Sequence, residues 1–337
     1  MKKIPTDVLI IGAGPVGLFT VFQLGQLGIR SCLVDCLSEI GGQCSALYPE
    51  KPIYDIPAYP NIKAIELVKN LEKQIKPFNP KILLDQKVEK INEINKAFEI
   101  ITSNEKLIQA KCIIIAAGNG AFGPNKPPID GIEEFEEKTI FYNVKNKQLF
   151  DGKKLAIAGG GDSAADWAIE LSKTAEKIFF IHRRNKLRAA PNSVKKLFDL
   201  EKEKKIEMVI PYQLDSLVGI NGKINSINLR DLDGQLKKIE VDYFLPFYGL
   251  SSDLGPIKKW ELQIEKNLLK VDQSTCMTSR DGIFEIGDIC NYPGKLKLIL
   301  TGFSEAAIAS HACYSKVFPE KVLHFEYSTT KGITNLN

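Results

Sequence analysis

The sequence predicts an α/β protein with two Rossmann-like dinucleotide-binding domains, the second inserted into the first. A glycine-rich turn follows an apolar run twice, at 12–17 and at 159–164, and each turn leads into a helical stretch and a further apolar run. The length of 337 residues also suits about two domains. We expect the outer domain at 1–117 plus 248–337 and the inserted domain at 118–247.

The composition excludes several classes of protein. Hydrophobic residues make up 44% of the chain and charged residues 26%, as in ordinary soluble domains and unlike disordered tails, collagen-like fibres or disulfide-stapled miniproteins. The net charge of +4 is too small to indicate a nucleic-acid partner. Seven cysteines without a C-x-x-C motif do not support a zinc or other metal site. Reduced thiols in a cytoplasmic protein are the interpretation that we favour.

The uncharged stretch from Val8 to Ile29 imitates a signal peptide or a membrane span. It contains five glycines, and no A-x-A-like cleavage site follows it. A buried strand at 7–11, a glycine turn and a helix at 18–27 explain the stretch better. We therefore expect a second strand at 30–35 and no membrane segment.

The first glycine turn has the residue types that a dinucleotide requires. Gly12 permits the tight turn, Gly14 lets the backbone approach a pyrophosphate, and Gly17 lets the helix pack closely on the strand. The backbone N–H groups and the positive end of the helix then hold the phosphates. Asp35 ends the second strand, where a carboxylate accepts hydrogen bonds from a ribose diol.

The second glycine turn repeats this plan with a different ending. Apolar strands are predicted at 154–158 and 177–181, with a helix at 165–175 between them. A histidine and a cluster of arginines stand where the first unit has an aspartate. The candidate residues of this second site are Gly159, Gly161, Asp162, Ser163, His182, Arg183, Arg184 and Arg188.

The arginine cluster indicates which nucleotide binds there. The chain has only six arginines, and three of them lie between positions 183 and 188. A guanidinium binds a 2′-phosphate through charge-assisted hydrogen bonds, whereas a carboxylate repels it. Arg183 and Arg184 therefore favour NADP over NAD. Together with Asp35 in the first site, they suggest FAD and NADPH, and delivery of hydride from the nicotinamide to the flavin is the simplest use of that pair.

At this point the chain resembles a known family. The segment at 41–51, which reads Gly-Gly-Gln-Cys-Ser-Ala-Leu-Tyr-Pro-Glu-Lys, is typical of the ferredoxin–NADP reductases that share the two-domain fold of thioredoxin reductase. The resemblance covers essentially the whole length. It implies that Gln43 and Tyr48 contact the flavin. One departure is Pro52, where some relatives carry an aromatic residue.

Further positions take their roles from the same resemblance. Val88 matches a backbone contact on the adenine side, and Phe122 matches a flavin contact just past the strand at 113–118. Asp288, in the second FAD signature at 282–288, would bond the ribityl chain. A helix that starts within 301–307 would point its positive end at the flavin.

The carboxyl-terminal extension implies a dimer. Beyond a helix that ends near Phe318, the family has such an extension, and it covers the flavin of the partner subunit. By this analogy Tyr327 would stack on the ring and Thr329 would contact it. A frayed terminus is the alternative interpretation.

The cysteine positions decide how electrons would leave the flavin. No cysteine lies between Cys112 and Cys276, and Cys44 has no near successor, so a dithiol relay of the disulfide-reductase kind is not expected. The flavin would then reduce a one-electron carrier directly, either ferredoxin or flavodoxin. Candidate docking groups for such acidic carriers are Lys195, Lys196, Lys202, Lys204 and Lys205, or Lys295 and Lys297. Solvated lysine-rich helices are the other reading of both groups.

The predicted mechanism therefore has no catalytic side chain, because the flavin carries the chemistry. His182 is expected to line the NADPH site. Two alternatives stay open: an NADPH-dependent quinone reductase or oxidase, and a flavin-loaded redox sensor without turnover. Glycines at 118–123 and 246–249 would allow a hinge between the domains.

Overall fold

The computed structural model describes residues 3–95, 97–324, 327, 329 and 332. It divides into two compact units, one comprising Met1–Phe122 with Ser252–Asn337 and the other Gly123–Ser251. The unit boundaries thus lie a few residues beyond the expected ones at 117 and 248. The chain passes between the units through two short strands, at 121–124 and 250–253, which pair with each other.

The helices of the described residues are α1 (Pro15–Gln26), α2 (Gln43–Ala46), α3 (Ala64–Ile75), α4 (Asp162–Leu171), α5 (Pro191–Lys202) and α6 (Ile299–Val317). The strands are β1 (Lys3–Pro5), β2 (Val8–Ile11), β3 (Ser31–Val34), β4 (Pro52–Ile53), β5 (Ile62–Lys63), β6 (Lys81–Leu83), β7 (Val88–Ile94), β8 (Ala97–Thr102), β9 (Leu107–Ala110), β10 (Cys112–Ile115), β11 (Ala121–Pro124), β12 (Lys154–Ala158), β13 (Lys177–Ile181), β14 (Ile206–Val209), β15 (Gln213–Ile220), β16 (Lys223–Arg230), β17 (Leu236–Glu240), β18 (Tyr243–Pro246), β19 (Leu250–Asp253), β20 (Ile264–Glu265), β21 (Leu268–Lys270), β22 (Ile283–Glu285) and β23 (Cys290–Asn291).

The larger unit is built on a parallel sheet in the order β22-β10-β2-β3-β6. Its central strands are buried over their whole length, as expected of a parallel sheet covered on both faces. One face packs on α1, α3 and α6. The other face packs on the sheet β1-β9-β8-β7 and on the segment around Trp260. The carboxyl ends of β2, β3, β10 and β22 therefore lie at one edge, where a Rossmann-type sheet binds its ligand.

The smaller unit repeats the design with a shorter parallel sheet in the order β14-β13-β12-β18. An antiparallel sheet, β15-β16-β17, packs against it through a common apolar core. The predicted strands at 154–158 and 177–181 are confirmed with those bounds.

Both glycine turns lead into their helices earlier than predicted. Helix α1 begins at Pro15 rather than at residue 18, because proline is accepted in a first turn whose N–H groups have no partner in the helix. Helix α4 begins at Asp162 rather than at residue 165. An acidic side chain in the first turn stabilises a helix, because it interacts favourably with the positive end of the helix dipole. No helix among the described residues is long and apolar enough to cross a membrane.

Candidate functional site

The first glycine turn is held by close backbone packing. Gly12 has φ +113°, and a Cβ on it would lie 2.3 Å from the carbonyl oxygen of Ala116. A Cβ on Gly17 would lie 1.9 Å from the carbonyl oxygen of Gly12. Gly14 differs, because a Cβ there would meet no described atom within 4 Å. Gly12 and Gly17 are thus required by the fold, whereas Gly14 borders open space beside the amino terminus of α1.

Asp35 ends β3 and turns its carboxylate toward this turn. Its Oδ2 accepts a hydrogen bond from the N–H of Ala13 at 2.5 Å, and its Oδ1 accepts one from the N–H of Leu37 at 2.8 Å. Burial raises the pKa of the Asp35 carboxyl, and these backbone donors oppose the shift. The side chain is 8% exposed, so the carboxylate is fixed before any ligand arrives.

A cavity of the larger unit brings together most of the residues predicted for the first site. Segments from both ends of the chain line it, including Gln86 to Val88 and Asp253 to Ile257. The predicted residues that line it are Gly12, Gly14, Asp35, Gln43, Tyr48, Val88 and Asp288. They come from positions up to 276 residues apart, 12 to 288, and meet because the carboxyl ends of parallel strands share one edge.

Cys44 and Tyr48 form a neutral pair in the cavity wall. The Sγ of Cys44 donates a hydrogen bond to the Tyr48 hydroxyl at 3.7 Å. Burial raises the pKa of the Cys44 thiol to about 11, and it also raises the pKa of Tyr48. The thiolate is the reactive form of cysteine, so this thiol is inert at neutral pH.

Three predicted residues, Gly17, Tyr327 and Thr329, lie outside this cavity. Gly17 packs beneath it against Gly12, as described above. The side chain of Phe122 lies outside the described residues. Tyr327 is 69% exposed and Thr329 is exposed, and neither lines the cavity of its own chain. Their roles on a partner subunit therefore stay predictions.

The second glycine turn also has one glycine that close packing requires and one that borders open space. Gly159 has φ +156°, and a Cβ on it would lie 2.7 Å from the carbonyl oxygen of Phe247. A Cβ on Gly161 would meet no described atom within 4 Å, and Gly161 caps the amino terminus of α4. Asp162 and Ser163 open that helix and are exposed. The turn is therefore closed on one side and open where a phosphate is expected.

Backbone hydrogen bonds tie the arginine-bearing segment to this turn. The N–H of Arg188 donates to the carbonyl oxygen of Gly160 at 2.6 Å, and Asp162 Oδ1 accepts from the N–H of Ala190 at 2.7 Å. Arg183, Arg184 and Arg188 are exposed, and none forms an ion pair with any residue that the structure describes. Three guanidinium groups thus stand beside the open side of the turn, available to an anion.

His182 is packed against the middle of the turn. A Cβ on Gly160 would lie 2.2 Å from the Cε1 atom of the imidazole, so the ring sits directly on this glycine. Its Nε2 is buried and has no hydrogen-bond partner among the described residues. Burial lowers the pKa of His182, and the neighbouring arginines lower it further. The imidazole is therefore neutral at pH 7.

The chain matches a known family of pyridine nucleotide enzymes. Residues 6–309 match the family model for pyridine nucleotide-disulphide oxidoreductases. The ferredoxin–NADP reductase of Ehrlichia canis (strain Jake) is 52% identical over 338 residues, which cover all of both chains. That of Rickettsia akari (strain Hartford) is 53% identical over 326 residues, which cover 97% of this chain and 98% of the relative.

The chain belongs to the pyridine nucleotide-disulphide oxidoreductases, and among them to the ferredoxin–NADP reductases. The resemblance and the fold class predicted from the sequence are thereby confirmed. The thioredoxin reductase of Lactococcus lactis is a solved structure with the same fold, at a TM-score of 0.78 and 25% identity over 93% of this chain and 99% of that one. The thioredoxin reductase of T. acidophilum has a TM-score of 0.78 at 24% identity over 92% of this chain and 98% of that one.

In this ferredoxin–NADP reductase family member, sequence reasoning missed part of the cavity wall. Leu254, Pro256 and Trp260 line the cavity, although no motif marks them. They follow the return of the chain from the smaller unit, so only the fold brings them there. Lys295 was expected as a docking group on the surface, and that expectation is wrong. Its side chain is 6% exposed and is ion-paired with Glu305, because α6 packs over it.

Proposed function

We propose that the protein is an FAD-dependent ferredoxin–NADP reductase, which passes reducing equivalents from NADPH to ferredoxin. The observation that carries the proposal is the pair of glycine turns. One opens into a cavity beside a buried carboxylate, and the other stands beside three guanidinium groups that form no ion pair with any described residue. Ferredoxin–NADP reductases at about half identity over the full chain support the same conclusion.

The first cavity fits FAD. Open space beside Gly14 and the free first-turn N–H groups of α1 suit a pyrophosphate. Asp35 would accept the ribose hydroxyls with the lone pairs that its two backbone donors leave over. The remaining contacts that we propose are Gln43, Tyr48, Val88, Phe122 and Asp288, with Tyr327 and Thr329 supplied by a second copy. When bound, FAD supplies the capacity to take a hydride and to release single electrons.

The second site fits NADPH rather than NADH. Arg183, Arg184 and Arg188 would bind the 2′-phosphate, and the segment that carries them is already fixed to the glycine turn by backbone hydrogen bonds. The amino terminus of α4, with Gly159, Gly161, Asp162 and Ser163, would hold the pyrophosphate. Neutral His182 lines this site without adding charge and, in this proposal, moves no proton.

The thiols argue against disulfide reduction, although the family includes disulfide reductases. The smaller unit has no cysteine at all in its sequence, and six of the seven thiols are buried. In the cavity, burial and the Asp35 carboxylate raise the pKa of Cys36, and burial raises that of Cys44 to about 11. The electrons must therefore pass to an external acceptor, either ferredoxin or flavodoxin.

We further propose a cytoplasmic homodimer with an acidic carrier docked on the smaller unit. The proposed docking group is Lys195, Lys196, Lys202, Lys204 and Lys205, all of which are exposed. Two of these lysines have local acidic partners, since Lys202 pairs with Asp199 at 3.0 Å and Lys205 with Glu203 at 3.0 Å. Lys195, Lys196 and Lys204, which form no ion pair with any described residue, would supply most of the electrostatic attraction for the acidic carrier.

The test is a steady-state assay of the purified protein across acceptors. NADPH should bleach the yellow protein, and cytochrome c reduction should become fast only when ferredoxin is added. If quinone replaces ferredoxin in that role, a quinone reductase is the better assignment. If NADPH fails to bleach the flavin, a redox sensor is the better assignment. A preparation that stays colourless with added FAD would contradict the whole proposal.

A further inference from the structure

Charged side chains are buried behind the turn that carries Asp288. Glu305 lies in the second turn of α6, and Lys295 lies in the segment before that helix. Their side chains are 3% and 6% exposed, and they form an ion pair. Glu285, at the end of β22, is entirely buried nearby. So much buried charge is costly, which calls for a reason beyond stability.

Glu305 accepts hydrogen bonds from three residues of one short segment of the chain. Its Oε2 accepts a hydrogen bond from the backbone N–H of Gly287 at 2.7 Å. Its Oε1 accepts one from the hydroxyl of Tyr292 at 2.6 Å and another from the Nζ of Lys295. All three donors belong to residues 287–295. We call Glu305, Lys295 and Tyr292 the Glu305 network.

This network holds the cavity wall from behind. Gly287 and Asp288 line the cavity, whereas Glu305, Lys295 and Tyr292 do not. Gly287 has φ +82°, one of several backbone conformations open to glycine, so contacts of its backbone select the one observed. The N–H of Gly287 donates to Glu305, so the orientation of the Ile286–Gly287 peptide, one peptide before the one that joins Gly287 to Asp288, depends on that carboxylate.

Glu285 does not share this role. Both of its carboxylate oxygens are buried without a hydrogen-bond partner among the described residues. Burial and the nearby Glu305 raise the pKa of Glu285 well above its usual range, and Lys295 only partly opposes the shift. Burial thus favours the protonated form of Glu285, and Lys295 and Glu305 then form a balanced pair of opposite charges.

We propose that Glu305 is a positioning residue for the FAD site. Its carboxylate, held in place by Lys295 and Tyr292, fixes the Gly287 amide and so sets Asp288 in the cavity before the cofactor binds. Lys295 is then an internal counter-ion rather than a docking residue. This inference rests on the proposed function, because it assumes that the cavity holds FAD.

The test compares FAD binding by the full-length apoprotein with its stability. The double variant Lys295→Met/Glu305→Leu replaces the pair by apolar side chains of similar volume, a change that is often neutral for stability. It nevertheless removes the acceptor of the Gly287 amide. We expect the dissociation constant for FAD, measured by titration calorimetry, to rise about tenfold or more, as for the loss of a hydrogen bond to a charged group. The melting temperature of the apoprotein should change much less than the affinity for FAD, because the cost of the two lost hydrogen bonds is offset by removal of the desolvation cost of two buried charges.

A matched control is the pair Lys147–Glu170 in the smaller unit, whose charged atoms lie 3.0 Å apart. The double variant Lys147→Met/Glu170→Leu should leave the affinity for FAD unchanged. The single variant Glu305→Gln provides a second measurement: it should shift the visible absorption and circular dichroism of the bound flavin, which a purely structural role would leave alone.

The outcomes separate this inference from the proposed function. Wild-type apoprotein that does not bind FAD contradicts the proposed function. Wild-type apoprotein that binds FAD tightly, with the Lys295→Met/Glu305→Leu variant binding it equally well, overturns the positioning role alone. Unaltered flavin spectra in Glu305→Gln would overturn it too, even if the double variant failed to fold.

Discussion

The two units use the same glycine turn but treat their charges in opposite ways. In the larger unit two carboxylates at the cavity are buried: Asp35 in its wall is 8% exposed, and Glu305 behind that wall is 2% exposed. In the smaller unit Arg183, Arg184 and Arg188 are exposed and lack ion-pair partners among the described residues. A buried carboxylate is fixed in advance and suits a cofactor that stays bound. An exposed guanidinium suits a nucleotide that binds and leaves with each turnover.

The largest expected effect separates the two kinds of glycine within one turn. Gly12→Ala adds a Cβ only 2.3 Å from the Ala116 carbonyl oxygen at a positive φ, so we expect a loss of about 3 kcal/mol or more in unfolding free energy. Gly14→Ala meets open space, so the apoprotein should melt close to the wild type while its affinity for FAD falls. Thermal unfolding and FAD titration of both variants measure this. Equal destabilisation by the two variants would show that the space beside Gly14 belongs to packing rather than to a ligand.

The next largest effect concerns the exposed arginines. Arg183→Ala/Arg184→Ala should raise the KM for NADPH about 100-fold, since each charge-assisted bond contributes about 1.5–3 kcal/mol. The KM for NADH should change little, because NADH has no 2′-phosphate. The control is Arg230→Ala, which breaks an exposed pair with Asp215 in the same unit. An equal rise in the KM values for NADPH and NADH would show that the arginines do not recognise the 2′-phosphate.

A third effect sharpens the contrast between buried carboxylate and exposed guanidinium. Asp35→Ala should weaken FAD binding about tenfold or more through the loss of a hydrogen-bonding partner of the ribose. The ratio of the KM values for NADPH and NADH should stay as in the wild type, because that ratio is set in the other unit. Asp85→Ala removes an exposed carboxylate of the larger unit and serves as the control. A changed coenzyme preference in Asp35→Ala would contradict the assignment of FAD to the larger unit and of NADPH to the smaller one.

The smallest effect tests how the larger unit tolerates a buried acid. The folded-state pKa of Glu285 is raised, so its contribution is most favourable below the ordinary glutamate pKa and is lost as the pH rises toward the folded value. Glu285→Met removes two oxygens that have no hydrogen-bond partner among the described residues, so it should add about 1 kcal/mol to the unfolding free energy. The gain should grow from pH 5 to pH 8 in denaturant titrations. The control is Glu89→Met at an exposed position, which should give no such trend with pH. A pH-independent gain in Glu285→Met would mean that the Glu285 carboxyl has the same pKa in the folded and unfolded states.

Sequence reasoning predicted the two nucleotide turns well because their requirements are local. The constraint on Gly17 arises within the turn itself, against the carbonyl oxygen of Gly12, and the strand before the turn is one apolar run. The constraint on Gly12 also involves Ala116, which only the fold brings there. The helix starts were less accurate, since Pro15 and Asp162 belong to their helices rather than to the turns. The assignment of individual residues to FAD or NADPH contacts stays a prediction.

The failure at Lys295 has a physical reason. In the sequence it stands with Lys297 in a polar, proline- and glycine-containing segment, which is typical of a surface loop. Only the packing of α6 on the main sheet buries it and gives it Glu305 as a partner. One signal was present: Glu285 interrupts the apolar run at 283–286, and an acid inside a buried strand indicates a special environment.

By itself, the sequence determined the two-domain α/β class, the family and the contrast between an acid and an arginine cluster at the two strand ends, because glycine sterics and strand–helix periodicity act over short distances. Only the tertiary structure decided which charges are buried together and which distant segments line the cavity. Burial and its electrostatic consequences depend on elements more than a hundred residues apart, and no local pattern encodes them.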